Sequence, residues 1–531
     1  MAGVENDQSA SITSMTSECR SVVPPLDTRI GVSATLPVLK WPAATCGFFS
    51  FASLFVRAIA QSPPGAYHDV PLNEGRRRRH AQRLARRSAT YNLVTYKESL
   101  ISKNMADSQT SWIRTWFCDG GTRTRRRSWW LVAASLATCT GALQTASAQS
   151  QSVTSAPQGP LQFSVGTSVL WDDNVFRLSD SADTRALLGK SSKSDRYVAA
   201  FAGVHVDKPY AQQRFKLNAT ETAYRYDSFS FLNSNALNYD GAWDWHFTPR
   251  LSGTLSADRA EALANYGDYR TPIRNVVTAQ NQRLSIDDRL SGGWHLLGGA
   301  SHGESNNSTV FVQQASYRGN GLEGGTRYVT EAGNSVTFVS RSFRADYVDQ
   351  PLDPVNLLDE GYRRRENELA VSWMPSGKST LTGTATRIDY KSRNFEQRDF
   401  SGTSGLLSYR WQPTGRLILV LSAVRTVLPY IDNFSTYVVT DTVTVAPTWQ
   451  VSAHAGVRAG LSRSSSDFRG AVVPVAIARQ DDLESTLLAL DWSPRKSLML
   501  SADVRHERRT SNTAGFDYND SSARVSVALT F

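Results

Sequence analysis

The last ten residues alternate without a break. Ala523, Val525, Val527, Leu529 and Phe531 take one parity, and Ser522, Arg524, Ser526, Ala528 and Thr530 the other. A period of two is the signature of a strand with one continuous apolar face, and this face ends on an aromatic ring. The same texture opens the region at Leu161, Phe163, Val165, Thr167, Val169 and Trp171. It returns at Val451, Ala453, Ala455, Val457, Ala459 and Leu461, and at Leu498, Leu500, Ala502 and Val504 against Ser501, Asp503, Arg505 and Glu507. Nothing from Leu161 onward reads as a long amphipathic helix. Segments of about ten residues with one apolar and one polar, glycine-tolerant face suit a wall with lipid outside and water inside. A soluble sandwich alternates too, with shorter strands and the faces exchanged. The expected fold is all-β: a transmembrane antiparallel up-and-down barrel over 161–531 of 18 strands, with 16 as the alternative count and 296–335 as the least regular stretch.

Charge and cysteine set the front of the chain apart. The chain has 58 Lys+Arg and 48 Asp+Glu; residues 1–148 hold 18 and 9 of these, which leaves 58 − 18 = 40 and 48 − 9 = 39 for residues 149–531. The basic excess therefore says nothing about the later region, and no nucleic-acid partner is expected. All four cysteines (Cys19, Cys46, Cys118 and Cys139) also precede residue 149, so no disulfide or thiolate metal site is expected beyond it. At the join, Arg123, Arg125, Arg126 and Arg127 precede an apolar run from Trp129 to Leu143, followed by Ala146-Ser147-Ala148. This is the layout of a secretion signal cleaved between Ala148 and Gln149. The signal region is placed at 105–148 and a flexible lead-in at 149–160. Residues 1–104, without sustained period, are expected to be disordered or an upstream leader preceding a true start near Met105.

Tight turns recur. Trp373-Met374-Pro375-Ser376-Gly377-Lys378, Trp411-Gln412-Pro413-Thr414-Gly415-Arg416 and Trp492-Ser493-Pro494-Arg495-Lys496 share a pattern, with Trp245–Arg250 a looser copy and Ala446-Pro447-Thr448 a degenerate one. Proline presets a turn, glycine permits positive φ, and a tryptophan just before them suits a membrane interface. Longer polar connections are expected at Asp172–Lys193, Glu261–Gln282, Asp349–Arg365 and Ser464–Asp482. Short turns at one end and long loops at the other match periplasmic and outer ends.

Trp171-Asp172-Asp173-Asn174-Val175-Phe176-Arg177-Leu178 follows the first strand. With the alternating strands around it, this segment resembles the EpsL-type outer-membrane proteins of exopolysaccharide biosynthesis clusters, a β-barrel porin group, over residues 160–531. The resemblance implies an outer-membrane location and a pore or scaffold used in making or exporting an exopolysaccharide. It brings no catalytic residues and no cofactor. The partners it implies are outer-membrane lipid, the barrel-assembly machinery, the exopolysaccharide and periplasmic export components. From the residues themselves, Trp171, Asp172, Asp173, Asn174, Phe176 and Arg177 read as a turn in which Asp and Asn cap backbone amides while Phe176 packs on the rim. Direct sugar contact is the competing reading.

No enzyme is expected. The six histidines after residue 149 show no metal-ligand spacing, so no metal site is expected. Ser301-His302-Gly303-Glu304-Ser305 holds the residue types of nucleophilic catalysis, but neighbours on a strand point to opposite faces. The expected lumen-facing residues are Arg387, Asp389 and Lys391 on one strand, Arg458 on a second, and Asp503, Arg505 and Glu507 on a third. Phe531 is expected to close the barrel. The alternating parity conflicts at Glu221 and Arg259. The leading function is a porin-like pore for exopolysaccharide export; a non-conducting scaffold for a secretion complex and a barrel hydrolase are the alternatives.

Overall fold

The computed structural model describes residues 159–267, 272–309, 315–432, 434–473 and 477–531. The signal region, the cleavage point Ala148–Gln149 and residues 1–104 lie outside them, as does most of the lead-in. Eighteen strands follow in chain order: β1 (Leu161–Asp172), β2 (Asp195–Tyr210), β3 (Gln213–Tyr226), β4 (Ser234–His246), β5 (Leu251–Leu263), β6 (Val276–Arg289), β7 (Trp294–Asn307), β8 (Tyr317–Val329) and β9 (Ser335–Tyr347). The second half holds β10 (Gly361–Ser376), β11 (Ser379–Ser392), β12 (Phe400–Trp411), β13 (Leu417–Pro429), β14 (Tyr437–Gln450), β15 (Ala455–Arg469), β16 (Gln480–Arg495), β17 (Leu498–Ser511) and β18 (Tyr518–Thr530). Each pairs antiparallel with the next, and β1 pairs with both β2 and β18, so the sheet closes without a free edge. Closure pairs the strand backbones around the membrane-crossing part of the wall, the condition for crossing a bilayer. Among the described residues no helix is long and apolar enough to cross a membrane.

The closing seam includes the final residue. Phe163 N donates to Phe531 O at 2.8 Å and Phe531 N to Phe163 O at 2.9 Å, with the two rings stacked at 6.1 Å. Both rings face outward and are about half exposed or more.

Cross-strand partners share a face, so the register sorts every strand position. The outer face carries exposed apolar side chains such as Val169, Leu296, Phe338, Val443, Leu461, Leu488 and Val525. On one strand after another an outward polar residue ends this belt at the same distance from its lower edge. Trp294 to His302, Val336 to Arg344, Leu417 to Arg425, Ala455 to Arg463 and Trp492 to Glu484 are each eight residues. Eight residues span about 26 Å along a strand, or roughly 20 Å along the axis of a barrel tilted about 40°. That height is close to the apolar band of an outer-membrane barrel. The strands run on beyond it, and there the outer face is polar.

This overshoot corrects several boundaries. Glu261–Leu263 and Val276–Gln282 belong to β5 and β6, leaving a loop of 264–275; the other long connections shrink to 348–360 and 470–479. Val451 and Ala453 lie in the turn before β15 rather than in the strand. Pro447 sits inside β14, paired with Leu419 of β13, while the ladder toward β15 passes from Val445 to Thr448 and omits it. Proline has no N–H to give that side. The weak alternation of 296–335 also has a cause. On β8 the lumenal positions include Gly319 and Gly321, because the ring of Phe343 on β9 lies across them; a Cβ at Gly319 would come within 2.5 Å of it.

Candidate functional site

Among the described residues the clusters of buried apolar side chains inside the barrel lie at its outer mouth. Loop 173–194, which carries a short helix, α1 (Thr184–Leu188), folds inward after β1. Phe176 is buried against Phe229 and Leu232 of loop 227–233 and against Tyr266 of loop 264–275. The turn that aims Phe176 is built from the preceding side chains. Asp172 Oδ1 accepts from Asn174 N at 2.8 Å. Asn174 is fully buried; its Nδ2 donates to Leu178 O and Asn519 O, both at 2.8 Å, and its Oδ1 accepts from Leu178 N at 2.8 Å. Asp173 Oδ1 accepts from Ser521 N at 2.7 Å, tying the segment to β18. Trp171, one residue before, faces outward and half exposed.

Arg177, with φ 54, turns its guanidinium back into this knot. Its Nη1 lies 3.0 Å from both Asp172 Oδ2 and Asp520 Oδ1, and its Nε lies 3.8 Å from Glu507 Oε2. Asp172, Asp173 and Asp520 are close enough to share a cation, and the guanidinium occupies that role for Asp172 and Asp520. The segment is therefore an anchor that holds loop 173–194 over the lumen. Residues 264–267, the described ones just after β5, are drawn in as well. Arg509 of β17 donates through Nη2 to Gly267 O, with five strands lying between β17 and β5 around the wall. Opposite, Tyr362, Tyr390, Phe400 and Tyr437 stack at 4.6–4.9 Å between centroids. The first three are buried, so their faces pack on one another.

Arg398, in the 3-10 turn Glu396–Arg398, is a buried clasp among three outer loops. It donates to Asp432 O at 2.7 Å, Ser435 O at 3.1 Å and Asn356 O at 3.1 Å. Burial draws its guanidinium below the usual range, and Asp432 opposes this. No sequence pattern marks this residue, because its acceptors are main-chain carbonyls of distant loops.

Below the mouth the lumen is lined by cations held by carboxylates. Arg458 lies on the inner face of β15 with Nε 2.6 Å from Asp491 Oδ2, and Ser501 Oγ donates to the same carboxylate at 2.8 Å. Asp503 faces inward against Arg524 at 2.7 Å. Arg505 and Glu507 pair with each other. Across the barrel, Arg341 bridges Glu323 at 3.0 Å and Glu368 at 3.1 Å, and Arg283 also reaches Glu323.

Arg387, Asp389 and Lys391 are not in this lining. Arg387 shares register with Asn367, and Asp389 with Arg365, on the parity of the exposed Leu369, Val371 and Trp373. They stand on the outer wall, with Ile388 and Tyr390 turned inward. The cost of a charge facing lipid forbids this only within the belt; where the strands rise above it, an outward charge meets water or headgroups. Glu221 and Arg259 also fall on outward parity, opposite Leu237 and Tyr239. In the 301–305 segment His302 and Glu304 face outward, while Ser305 is buried; His302 Nδ1 is 2.8 Å from Asn320 Oδ1. These residues do not assemble a nucleophile and base.

Residues 377–531 match the family described as "Putative beta-barrel porin 2". A closed wall, an apolar belt and this match decide the location. It is a bacterial outer-membrane β-barrel. Among solved structures the chain is similar to OccK1 (OpdK) of Pseudomonas aeruginosa, 9% identical over 70% of this chain and 99% of that chain, with a TM-score of 0.41. It is also similar to OccK9 (OpdG) of the same organism, 13% identical over 70% and 98%, TM-score 0.42. The siderophore receptor PirA from P. aeruginosa is 10% identical over 71% and 81%, TM-score 0.36. No curated protein matches the chain significantly. The fold of the barrel stands on its own strand pairing.

Proposed function

We propose that this barrel is a porin-like conduit serving exopolysaccharide biosynthesis or export. The observation that carries the reading is the lumen wall, where Arg458, Arg505, Arg524 and Arg341 each meet a carboxylate amid serines and threonines such as Ser501 and Thr386. A wall of compensated charges and hydroxyls stays hydrated without holding one sign of ion, which suits passage of a polar polymer. The resemblance of the Trp171–Leu178 segment to the EpsL-type proteins supplies the polymer class. The inward loops favour a second reading, a non-conducting scaffold that presents a closed mouth to a secretion complex.

Planar-bilayer recordings separate the two. The conduit reading expects resolvable single-channel steps with weak anion/cation selectivity, interrupted by purified exopolysaccharide from the same cells and not by dextran of equal size. It also expects larger steps from Arg509→Met, which releases Gly267. A folded barrel that stays silent in both forms supports the scaffold and removes the conduit.

A further inference from the structure

The outward-facing charges above the belt are mostly paired. Arg259 meets Glu261 at 3.1 Å, Arg425 meets Asp441 at 2.6 Å, and Arg318 lies 3.5 Å from Glu304. The sector of β9, β10 and β11 breaks this rule. Arg344 on β9 stands directly across from Arg363 on β10, which stands across from Lys391 on β11; Arg365 follows on the same face of β10. Arg387 completes the group, bonded to Ser401 Oγ at 2.8 Å. Lys391 reaches Asp399 at 3.0 Å. The side chains of Arg344, Arg363 and Arg365 have no hydrogen-bond or ion-pair partner among the described residues, and Arg363 Nε is buried without an acceptor. Asp389 and Asp346 are the carboxylates on this face, and Asp346 is taken by Arg393. With Lys391 matched by Asp399 and Arg393 by Asp346, the four arginines Arg344, Arg363, Arg365 and Arg387 are left facing the carboxylate of Asp389.

Like charges directly opposite on neighbouring strands destabilise a sheet, so such a cluster points to a ligand of opposite sign. Height identifies it. Trp373 marks the lower edge of the belt on β10, and Arg365 and Arg363 lie eight and ten residues above it. At about 3.3 Å per residue and roughly 40° of tilt, these are some 20–25 Å up the barrel axis, the level of the outer headgroups. Arginine is suited to this task, since its planar fork binds phosphate oxygens in pairs. We propose that Arg344, Arg363 and Arg365 form a lipid site on the outer wall that takes the phosphate of a phosphorylated glycolipid headgroup in the outer leaflet. Arg387 and Lys391 flank it. The inference rests on the membrane placement and is independent of whether the barrel conducts.

The test uses the folded barrel in mild detergent, with retained heat-modifiable migration as the check on folding. Native mass spectrometry and thermal unfolding are read after addition of diphosphoryl lipid A, chemically dephosphorylated lipid A, or inorganic phosphate. Diphosphoryl lipid A is expected to stay bound and raise the melting temperature, and the dephosphorylated form to bind at least about tenfold more weakly, as loss of charge-assisted contacts demands. Inorganic phosphate at the same concentration is expected to leave the melting temperature unchanged. Substituting Arg344, Arg363 and Arg365 together by Gln should abolish the difference between the two lipids, the single Arg363→Gln should reduce it, and the triple Lys variant should retain part of it. Arg508→Gln, elsewhere on the outer wall, should retain all of it. Equal binding of both lipids by the wild type, an undiminished preference in Arg363→Gln, or an equal shift with inorganic phosphate would overturn the site.

Discussion

Arg177 and Asp359 show how single residues set the mouth. Arg177 holds three carboxylates around one buried guanidinium, so its removal leaves Asp172 and Asp520 uncompensated, while Glu507 keeps Arg505. Arg177→Met is expected to cost about 3–5 kcal/mol locally, as breaking a buried ion pair does. Limited proteolysis should then cut loop 173–194 in the variant and spare it in the wild type. Asp359, in loop 348–360, accepts from Asn394 N at 2.6 Å, Ser392 Oγ at 2.5 Å and Asn394 Nδ2 at 2.8 Å. Burial alone would raise this carboxyl, but those donors outweigh it and hold it below the usual carboxylate range. A depressed folded value means the ionised form stabilises the fold. That contribution is complete above the ordinary carboxylate range and is lost as pH falls through the folded value. Hydrogen exchange in 348–360 and 393–399 should therefore gain protection between about pH 3 and pH 6 after correction for intrinsic rates. Asp359→Asn should flatten that gain.

At the scale of elements, the wall is continuous but not uniform. The β12–β13 ladder runs from Gly405 opposite Arg425 to Trp411 opposite Leu419 and stops there, although β12 continues outward to Phe400. Where the strands part, Val427 N donates to Ser404 Oγ at 3.1 Å, a side chain standing in for the missing carbonyl. The β4–β5 seam uses the same device: Glu261 Oε2 accepts from Leu237 N at 3.1 Å, and Asn238 Oδ1 from Glu261 N at 2.7 Å. Ser404→Ala leaves a buried N–H unpaired, at a cost of about 1–3 kcal/mol. The expected result is faster exchange of the Val427 amide with no change at Leu421, inside the ladder. An equal change at both positions would show that the seam is not a separate weak point. The belt gives an opposite expectation. Leu488, half exposed on β16, sits in lipid, and Leu488→Arg should lower stability in bilayers by about 2–4 kcal/mol, measured by urea unfolding in liposomes. The same change at the outward Thr486, nearer the belt edge, should cost less.

For the whole molecule, the strand count, the antiparallel order and the closed wall follow from what is written along the chain. Period two is local, and each strand reports its own apolar face wherever one side meets lipid and the other water. The Asp172–Phe176 turn was legible for the same reason, since its first contacts span only a few residues. Its anchoring was not: Asn519, Asp520 and Glu507 lie more than three hundred residues away and meet it only because β18 closes on β1. The inward placement of Arg458, Asp503, Arg505 and Glu507 could be read because Val457, Leu461 and Val504 mark the lipid face beside them. Arg387, Asp389 and Lys391 could not be placed by that rule. Above the belt neither side of the wall touches hydrocarbon, so alternation no longer distinguishes outside from inside. There the register with β10 decides, together with the height at which the belt ends. The sequence by itself determined that this chain is a barrel and which residues form its lipid-facing belt, because burial in lipid acts on every second residue. Only the tertiary structure decided how the mouth is closed and on which side the upper charges stand, because those depend on closure, register and height, which join residues far apart in the chain.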